Sequence, residues 1–393
     1  ASEIQNEVLI KVFNADGIDV FKEYNLGYNG YSEALIVEKA IVMKADGTEI
    51  KADENGGELV FKSLEPNDHI YMKWRIQNYN QGRLSQHLWE ETHFNYFYPV
   101  KERKYALLAP KGYPLQTKTQ FMPNAPQKSQ TPDGQLFQWS LHDQAAILSE
   151  YNARDLDDYG KMLFVSTLPD WEYLVDWYLD LAKTKTRSSY EIQEAVAALF
   201  EEKSDLSEIE KIEAIYNFIT ENIHYSSVSF RQSGLIPQKA RDVLVQRLGD
   251  CKDVATLCIS MLKEADIPAH YVLVNTFEEG LNEDILPAIE FNHAIVGVET
   301  DQGVIYMDLT AQNYPFRSVP LSDRDAFALS IVPGNKAPFY LTDDLFTPRL
   351  SKRASKVTLQ DDNSAVIVRN NKKWGAPGAS LRNTYRFKGA EDQ

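Results

Sequence analysis

The chain is poor in cysteine. Of its 393 residues only two, Cys251 and Cys258, carry a thiol. On one helix a spacing of seven residues spans about 10 Å, which is too far for a disulfide between them. We therefore expect two free thiols, and two cysteines cannot supply a structural zinc set. Neither a metal nor another cofactor is expected, and this cysteine usage suits both the cytosol and a cysteine-poor cell envelope.

Long hydrophobic runs and basic runs are also lacking. No segment approaches the length of a transmembrane helix, and no signal-peptide pattern opens the chain. The formal net charge is −16, from 41 Lys and Arg against 57 Asp and Glu. Because like charges repel, we expect no nucleic-acid partner, no anionic membrane partner and no integral membrane segment.

Both ends of the sequence suggest a larger precursor. The chain starts at Ala1 rather than Met, so we expect an address to have been removed and the protein to be exported to the periplasm or cell envelope, with the cytoplasm as the alternative. Near the other end, "VTLQDDNSAVIVRNNKKW" and "SLRNTYRFKG" predict strands without a sheet to join. We therefore expect the sequence to be part of something longer.

Residues 1–165 have the pattern of β-strands. Asp-Gly pairs, the short-range signal of a tight hairpin, separate alternating segments at Asp16–Gly17, Asp46–Gly47 and Asp133–Gly134. A chain of this length should divide into about two or three domains. We predict an N-terminal antiparallel β-sandwich over residues 1–165.

The apolar period becomes helical after this region. "LPDWEYLVDWYLDLAK" predicts a helix with Asp170 as its N-cap, and Ser207 with Glu210 three residues later forms a capping box before another. "HYVLVNT" and "FNHAIVGVETDQGVIYMDLT" then predict strands. The sequence predicts an α+β domain over residues 166–348 and a partial β segment over residues 349–393.

The stretch "RLGDCKDVATL" places Cys251 at the beginning of a helix. Apolar spacing predicts this helix from about residue 252 to residue 265, with Asp250 as N-cap and Asp253 in the first turn. The helix dipole and free N–H groups favour a thiolate, whereas the two aspartates oppose it. A lone cysteine here is usually a small buried hydrophobe, so catalysis requires a histidine partner. Cys258 lies on the apolar face, which predicts a structural role.

His293 is the candidate partner. If the following hairpin turns between Thr300 and Asp301, His293 lies directly opposite Asp308, with Cβ atoms roughly 5 Å apart. A register shifted by two opposes His293 to Thr310 and leaves Asp308 diagonal but reachable, whereas a shift of one turns His293 to the other face. The sequence then offers a nucleophile, a base and an orienting acid for acyl transfer, which are Cys251, His293 and Asp308 in that order.

Additional groups could stabilise the oxyanion in such a reaction. The backbone N–H of Cys251, at the start of a helix, is one natural donor. Tyr225 and Gln232 precede the cysteine helix and could reach the site as a second donor, although a core tyrosine and a loop glutamine are the simpler interpretations.

"GDCKDVATL", "FNHAIV" and "MDLT", in this order and spacing, resemble the bacterial branch of the transglutaminase-like superfamily. The strand-rich first part is similar to the uncharacterised β domain that commonly precedes this catalytic domain, and the tail is similar to the beginning of a β domain that can follow it. The resemblance implies a transglutaminase-like, papain-like α+β fold. It places the family's nucleophile on Cys251, its histidine on His293 and its aspartate on Asp308. Leu248, where the family often has an aromatic residue, and Leu309, where it often has proline, depart from the pattern and affect pocket shape rather than chemistry.

The resemblance implies a thiol enzyme that acts on amide or peptide bonds of a protein or peptide, which could be an envelope component. It favours hydrolysis over amine transfer. An amine-transferring protein cross-linker is one alternative. A non-catalytic envelope-binding protein with a relic triad is another.

Overall fold

A computed structural model describes residues 2–28, 30, 33–79, 82–123, 125–151, 153–201, 205–226, 235–276, 286–341 and 350–386. The chain divides into two compact units, Ala1–Leu88 and Trp89–Gln393. The boundaries at residues 165 and 348 stay a prediction. Within the described residues, no helix has both the length and the apolar character needed to cross a membrane.

The first unit is built mainly from antiparallel strands. Its elements are β1 (Ser2–Lys11), α1 (Ala15–Phe21), β2 (Glu23–Asn25), β3 (Glu33–Met43), β4 (Glu49–Lys51), β5 (Asp53–Asn55), β6 (Glu58–Val60) and β7 (His69–Asn78). They form one sheet in the order β1-β7-β3-β4 and another in the order β2-β6-β5. Alternation along β7 buries Ile70, Met72 and Trp74 in the apolar core, as expected for strands with one covered face.

The Asp-Gly hairpin signals had different outcomes. Asp46–Gly47 turns between β3 and β4, with Gly47 at a φ of +87°, as predicted. Asp16–Gly17 instead lies inside α1, so that hairpin prediction was wrong. The reason is local, because the Asn14 side chain accepts a hydrogen bond from Gly17 N at 2.9 Å and caps a helix.

Trp89–Gln393 begins with a second set of strands. These are β8 (Trp89–His93), β9 (Val100–Ala109), β10 (Gln116–Gln120), β11 (Gln127–Thr131), β12 (Gly134–Gln144) and β13 (Met162–Ser166). They form antiparallel sheets in the orders β10-β13-β8 and β11-β12-β9 around buried Phe94, Trp139 and Leu163. The Asp133–Gly134 turn joins β11 to β12 as predicted. The β-rich N-terminal region is thus confirmed.

A mixed α/β region follows. Its elements are α2 (Trp171–Ala182), α3 (Tyr190–Phe200), α4 (Glu208–Asn222), β14 (His224–Tyr225), α5 (Ala240–Gln246), β15 (Leu248–Gly249), α6 (Cys251–Glu264), β16 (Ala269–Asn275), β17 (His293–Thr300), β18 (Gly303–Met307), β19 (Phe327–Ser330) and β20 (Phe339–Tyr340). The last five strands form an antiparallel sheet in the order β18-β17-β16-β19-β20. α6 packs against β16 and β17. This packing brings the start of the cysteine helix to the sheet that carries His293.

The predicted caps of this region are present. Asp170 caps α2, and Ser207 with Glu210 forms the capping box of α4. The end of the described chain is a hairpin of β21 (Leu350–Leu359) and β22 (Ala365–Trp374), followed by α7 (Ala376–Arg386). The hairpin confirms strand structure in "VTLQDDNSAVIVRNNKKW", whereas the described residues of "SLRNTYRFKG" lie in α7, so the strand prediction was wrong there. Gly375, at a φ of +62°, ends β22 and allows the chain to turn into α7.

Candidate active site

Cys251 is the first residue of α6. The Asp250 side chain accepts a hydrogen bond from Asp253 N at 3.2 Å, and the Asp253 carboxylate accepts one from Asp250 N at 3.3 Å. This reciprocal capping box confirms the predicted cap and satisfies N–H groups that have no partner within the helix. The cap therefore determines that the helix starts at the residue that carries the sulfur.

Asp253 anchors this first turn to the rest of the domain. Its buried carboxylate also accepts hydrogen bonds from Gln238 N at 2.7 Å and from Gln238 Nε2 at 2.5 Å. Gly249 approaches so closely that a Cβ atom at this position would lie 2.7 Å from Asp253 Cβ. The glycine of the "GDC" motif is thus required by packing.

The two cysteines have different environments. Cys251 is partly exposed, whereas Cys258 is completely buried on the inner face of α6. Burial raises the pKa of the Cys258 thiol, so this sulfur stays protonated. The structure confirms that Cys258 is a buried core residue.

His293 begins β17 and lies beside Asp308, which follows the last residue of β18. The distance from His293 Nε2 to Asp308 Oδ1 is 3.4 Å. Cross-strand partners in this hairpin include Val296 with Met307, so the turn centres on residues 301 and 302. The direct pairing of His293 with Asp308 was therefore wrong by two residues. The alternative register, with Asp308 diagonal to His293 and within reach, is the one observed.

The electrostatics of His293 and Asp308 favour an ion pair between them. Burial opposes protonation of His293, but Asp308 and, secondarily, the hydrogen bond and negative charge of the Cys251 sulfur outweigh it and hold the pKa of the imidazole well above its usual value. Burial also opposes ionisation of Asp308, but the His293 charge and hydrogen bonds from Thr310 lower the pKa of this carboxyl. At neutral pH the two side chains form a buried imidazolium–carboxylate pair, and the Cys251 sulfur interacts with the same imidazole.

Thr310 fixes the orientation of the carboxylate. Asp308 Oδ1 accepts a hydrogen bond from Thr310 N at 2.8 Å and another from Thr310 Oγ1 at 2.7 Å. The side chain of Asp308 is only 3% exposed. The "MDLT" motif thus supplies both the acid and the donors that hold it.

Asp323 is a buried acid that the sequence did not reveal. Possible ligand atoms of His293, Asp308 and Asp323 lie within 4.8 Å of one another, the one such group among the described residues. Asp308 Oδ1 already faces His293 and both donors of Thr310, so these atoms are engaged within the protein and we assign no metal to them. Asp323 lies after β18 in a short 3₁₀ turn, Leu321–Asp323, which has no recognisable motif.

The structure describes one of the two residues that were predicted as possible second donors to the oxyanion. Tyr225 lies near the site, and burial together with the charges of Cys251, Asp250 and Asp308 raises its pKa to about 12. Its phenol therefore stays protonated at neutral pH and can donate a hydrogen bond. Gln232 lies outside the described residues.

Two stretches of the chain match models of known protein families. Residues 194–309, which include Cys251, His293 and Asp308, match the family model of the transglutaminase-like superfamily. Residues 58–148 match a domain of unknown function, DUF3857. No curated protein matches the chain in sequence.

Two solved structures resemble the chain. One is described as a "putative protease" from Parabacteroides distasonis and has a TM-score of 0.68 at 16% sequence identity, covering 97% of this chain and 92% of that chain. The other, a "putative cysteine protease" from Cytophaga hutchinsonii, is 16% identical, covers 73% of this chain and 92% of that chain, and has a TM-score of 0.27. The first shares the fold, whereas the TM-score of the second is too low to support an argument. The transglutaminase-like fold and the β-rich region that precedes this domain are confirmed.

Proposed function

Because the chain carries a transglutaminase-like domain behind a DUF3857 domain, we propose that it is a thiol hydrolase acting on amide or peptide bonds of a protein or peptide. One observation carries the proposal. A partly exposed cysteine at a capped helix start shares a histidine with a buried aspartate, which is the arrangement of nucleophile, base and orienting acid.

The side chains allow a balanced two-step reaction. Asp308 faces His293 Nε2, which leaves Nδ1 to exchange a proton with the Cys251 thiol. Cys251 Sγ attacks the carbonyl carbon, the C–N bond breaks, and His293 gives its proton to the leaving amine. Water then attacks the thioester, His293 takes a proton from it, the C–S bond breaks, and the proton returns to Cys251.

The transition-state charge requires donors at the same place. The first N–H groups of α6, including that of Cys251, have no acceptor within the helix and can hold an oxyanion. We assign the second donor to the Tyr225 phenol, because this group stays protonated and senses the charges of Cys251 and Asp308.

Water is proposed as the acyl acceptor because a solved structure with the same fold is described as a "putative protease". Amine transfer is the alternative reaction, and both pass through the same thioester. Casein incubated with the protein in ¹⁸O-labelled water and a dansyl-labelled primary amine separates the two. Incorporation of ¹⁸O into casein carboxyl groups supports hydrolysis. Dansyl incorporation without ¹⁸O would contradict hydrolysis and show that the reaction is amine transfer.

The two cysteines provide matched variants for this experiment. Cys251→Ala should abolish product formation, whereas Cys258→Ala, which removes the buried thiol of the same helix, should retain it. Equal activity of wild type and Cys251→Ala would contradict the proposed nucleophile.

The third candidate function is a non-catalytic envelope-binding protein with a relic triad. Thiol reactivity tests it directly. If Cys251 reacts with iodoacetamide at pH 6 no faster than an ordinary thiol with a pKa of about 8.5, the sulfur is not activated and the binding function is favoured. Export to the envelope remains a prediction.

A further inference from the structure

Asp308 and Asp323 bring two carboxyl groups together behind the histidine. Asp323 is 1% exposed, and one of its oxygens lies within 4.8 Å of the facing atoms of both Asp308 and His293. Asp323 follows β18 by 16 residues, so the contact depends on the path of the intervening chain. The candidate triad therefore has a fourth ionisable member.

Hydrogen bonding shows an unfilled position on Asp323. Its Oδ1 accepts the Ser322 hydroxyl at 2.9 Å. Its Oδ2 is buried, and no donor reaches it among the described residues. A buried carboxylate oxygen without a donor is costly, and two adjacent buried carboxyls cannot both ionise readily. A single proton shared by Asp323 and Asp308 would supply a hydrogen bond between the two carboxyls and leave them with one negative charge instead of two.

The charges around Asp323 favour holding that proton there. Burial, followed by the negative charge of Asp308, raises the pKa of Asp323 to about 7, whereas the His293 charge and the Ser322 hydrogen bond oppose the rise. The charges of both aspartates also act on the Tyr314 phenol, which is neutral at this pH because burial, and then these charges, raise its pKa. The positive charge of Arg324 opposes this rise in the pKa of Tyr314.

We propose that Asp323 is a positioning residue, whose protonated carboxyl donates a hydrogen bond to Asp308 and holds that carboxylate against His293. The role rests on the proposed thiol chemistry, because its benefit reaches the substrate only through His293 and Cys251. When the Asp323 proton leaves, Asp308 loses a donor, while a second negative charge is added near the imidazolium.

Two spectra of the full chain, recorded without substrate, test the shared proton. Infrared difference spectra should contain a protonated carboxyl band that disappears as the pH rises through about 7. The ring resonances of His293, assigned by their loss in His293→Gln, should show a step at the same pH. Asp323→Asn keeps a donor but cannot ionise, so the His293 step and the part of the band that titrates near pH 7 should be absent, while the band of Glu91, whose pKa is raised to about 8, remains.

Ser322→Ala supplies a matched second variant. The Ser322 hydrogen bond lowers the pKa of Asp323, so its removal should move the step to a higher pH without abolishing it. A band and step that persist unchanged in Asp323→Asn, or a wild type without either, would overturn the inference.

Alkylation of Cys251 by iodoacetamide tests the positioning role. At pH 6, Asp323→Asn should react within about twofold of wild type, whereas Asp323→Leu, which lacks the donor, should react roughly three- to tenfold more slowly, as expected for a pKa change of half to one unit in the partner. Far-UV circular dichroism confirms that each variant is folded. If Asp323→Asn and Asp323→Leu react equally fast, Asp323 does not position the site. Absence of casein hydrolysis with the spectra intact would instead reject the proposed function alone.

Discussion

Nε2 of His293 lies 3.4 Å from Oδ1 of Asp308, although the two residues are not directly opposed in the β17–β18 hairpin. The ladder ends at Val296 and Met307, and Asp308 reaches back diagonally while Thr310 holds its Oδ1. The contact therefore depends on how the chain leaves the strand as well as on the register.

Asp308→Asn should lower the pKa of His293. Asp308 is the main cause of the raised imidazole pKa, so its neutral amide should let the ring lose its proton at a lower pH. Titration of the His293 ring by NMR measures this, and Cys251 alkylation at pH 6 should slow once the imidazole pKa falls to the assay pH or below, because the imidazolium that stabilises the thiolate is then lost. Asp301→Asn in the exposed hairpin turn is the control and should change neither quantity. An unchanged His293 titration in Asp308→Asn would refute the ion pair.

Gly249→Ala should destabilise the start of α6. The added Cβ would lie 2.7 Å from Asp253 Cβ, so the backbone or the capping side chain must move. Overpacking of this kind costs about 1–3 kcal/mol in the free energy of unfolding. Urea denaturation measures the loss, and Gly27→Ala, where a Cβ meets nothing within 4 Å, serves as the control. Equal stability of the two variants would contradict the close approach.

Asp253→Ala should cost more stability than loss of an exposed acid. The change leaves the Gln238 N–H and side-chain amide without their carboxylate and removes the capping box. We expect the free energy of unfolding to fall by about 3 kcal/mol, since hydrogen bonds to buried charged groups are strong. Asp176→Ala, on the exposed side of α2, should change it by less than ~0.5 kcal/mol. Thermal unfolding compares the two, and similar Tm values would contradict the anchoring role.

Glu91→Gln should reduce the dependence of stability on pH. Burial, with the charges of Glu290 and Asp157, raises the pKa of Glu91 from 4.5 to about 8. The folded protein thus favours the neutral carboxyl, so the contribution to stability is complete below pH 4.5 and declines as the pH rises to about 8.

Denaturant midpoints of wild type and Glu91→Gln between pH 5 and pH 8 measure this decline. Asp323 contributes in part of the same range, so the difference between the two proteins isolates Glu91. Glu213→Gln on the exposed face of α4 is the control and should follow wild type. A Glu91→Gln profile parallel to wild type would show that Glu91 ionises normally.

Local physical chemistry explains which predictions succeeded. The caps at Asp170, Ser207 and Asp250 depend on residues within three positions, so the sequence contains the needed information. Where two local signals compete, the pattern misleads. At Asp16–Gly17 the Asn14 cap outweighed the hairpin signal, and after Gly375 a helix replaced the predicted strand.

Sequence patterns were sufficient to predict that α6 starts at Cys251, that Cys258 faces inward, and that His293 and Asp308 belong to one hairpin. Those features follow from caps, from helical period and from the alternation of a hairpin. The hairpin register and the approach of Asp323 required the folded structure, because a turn can shift by two residues without changing which face is buried. The position of Asp323 depends on the fold of the residues between β18 and β19, for which no local pattern exists.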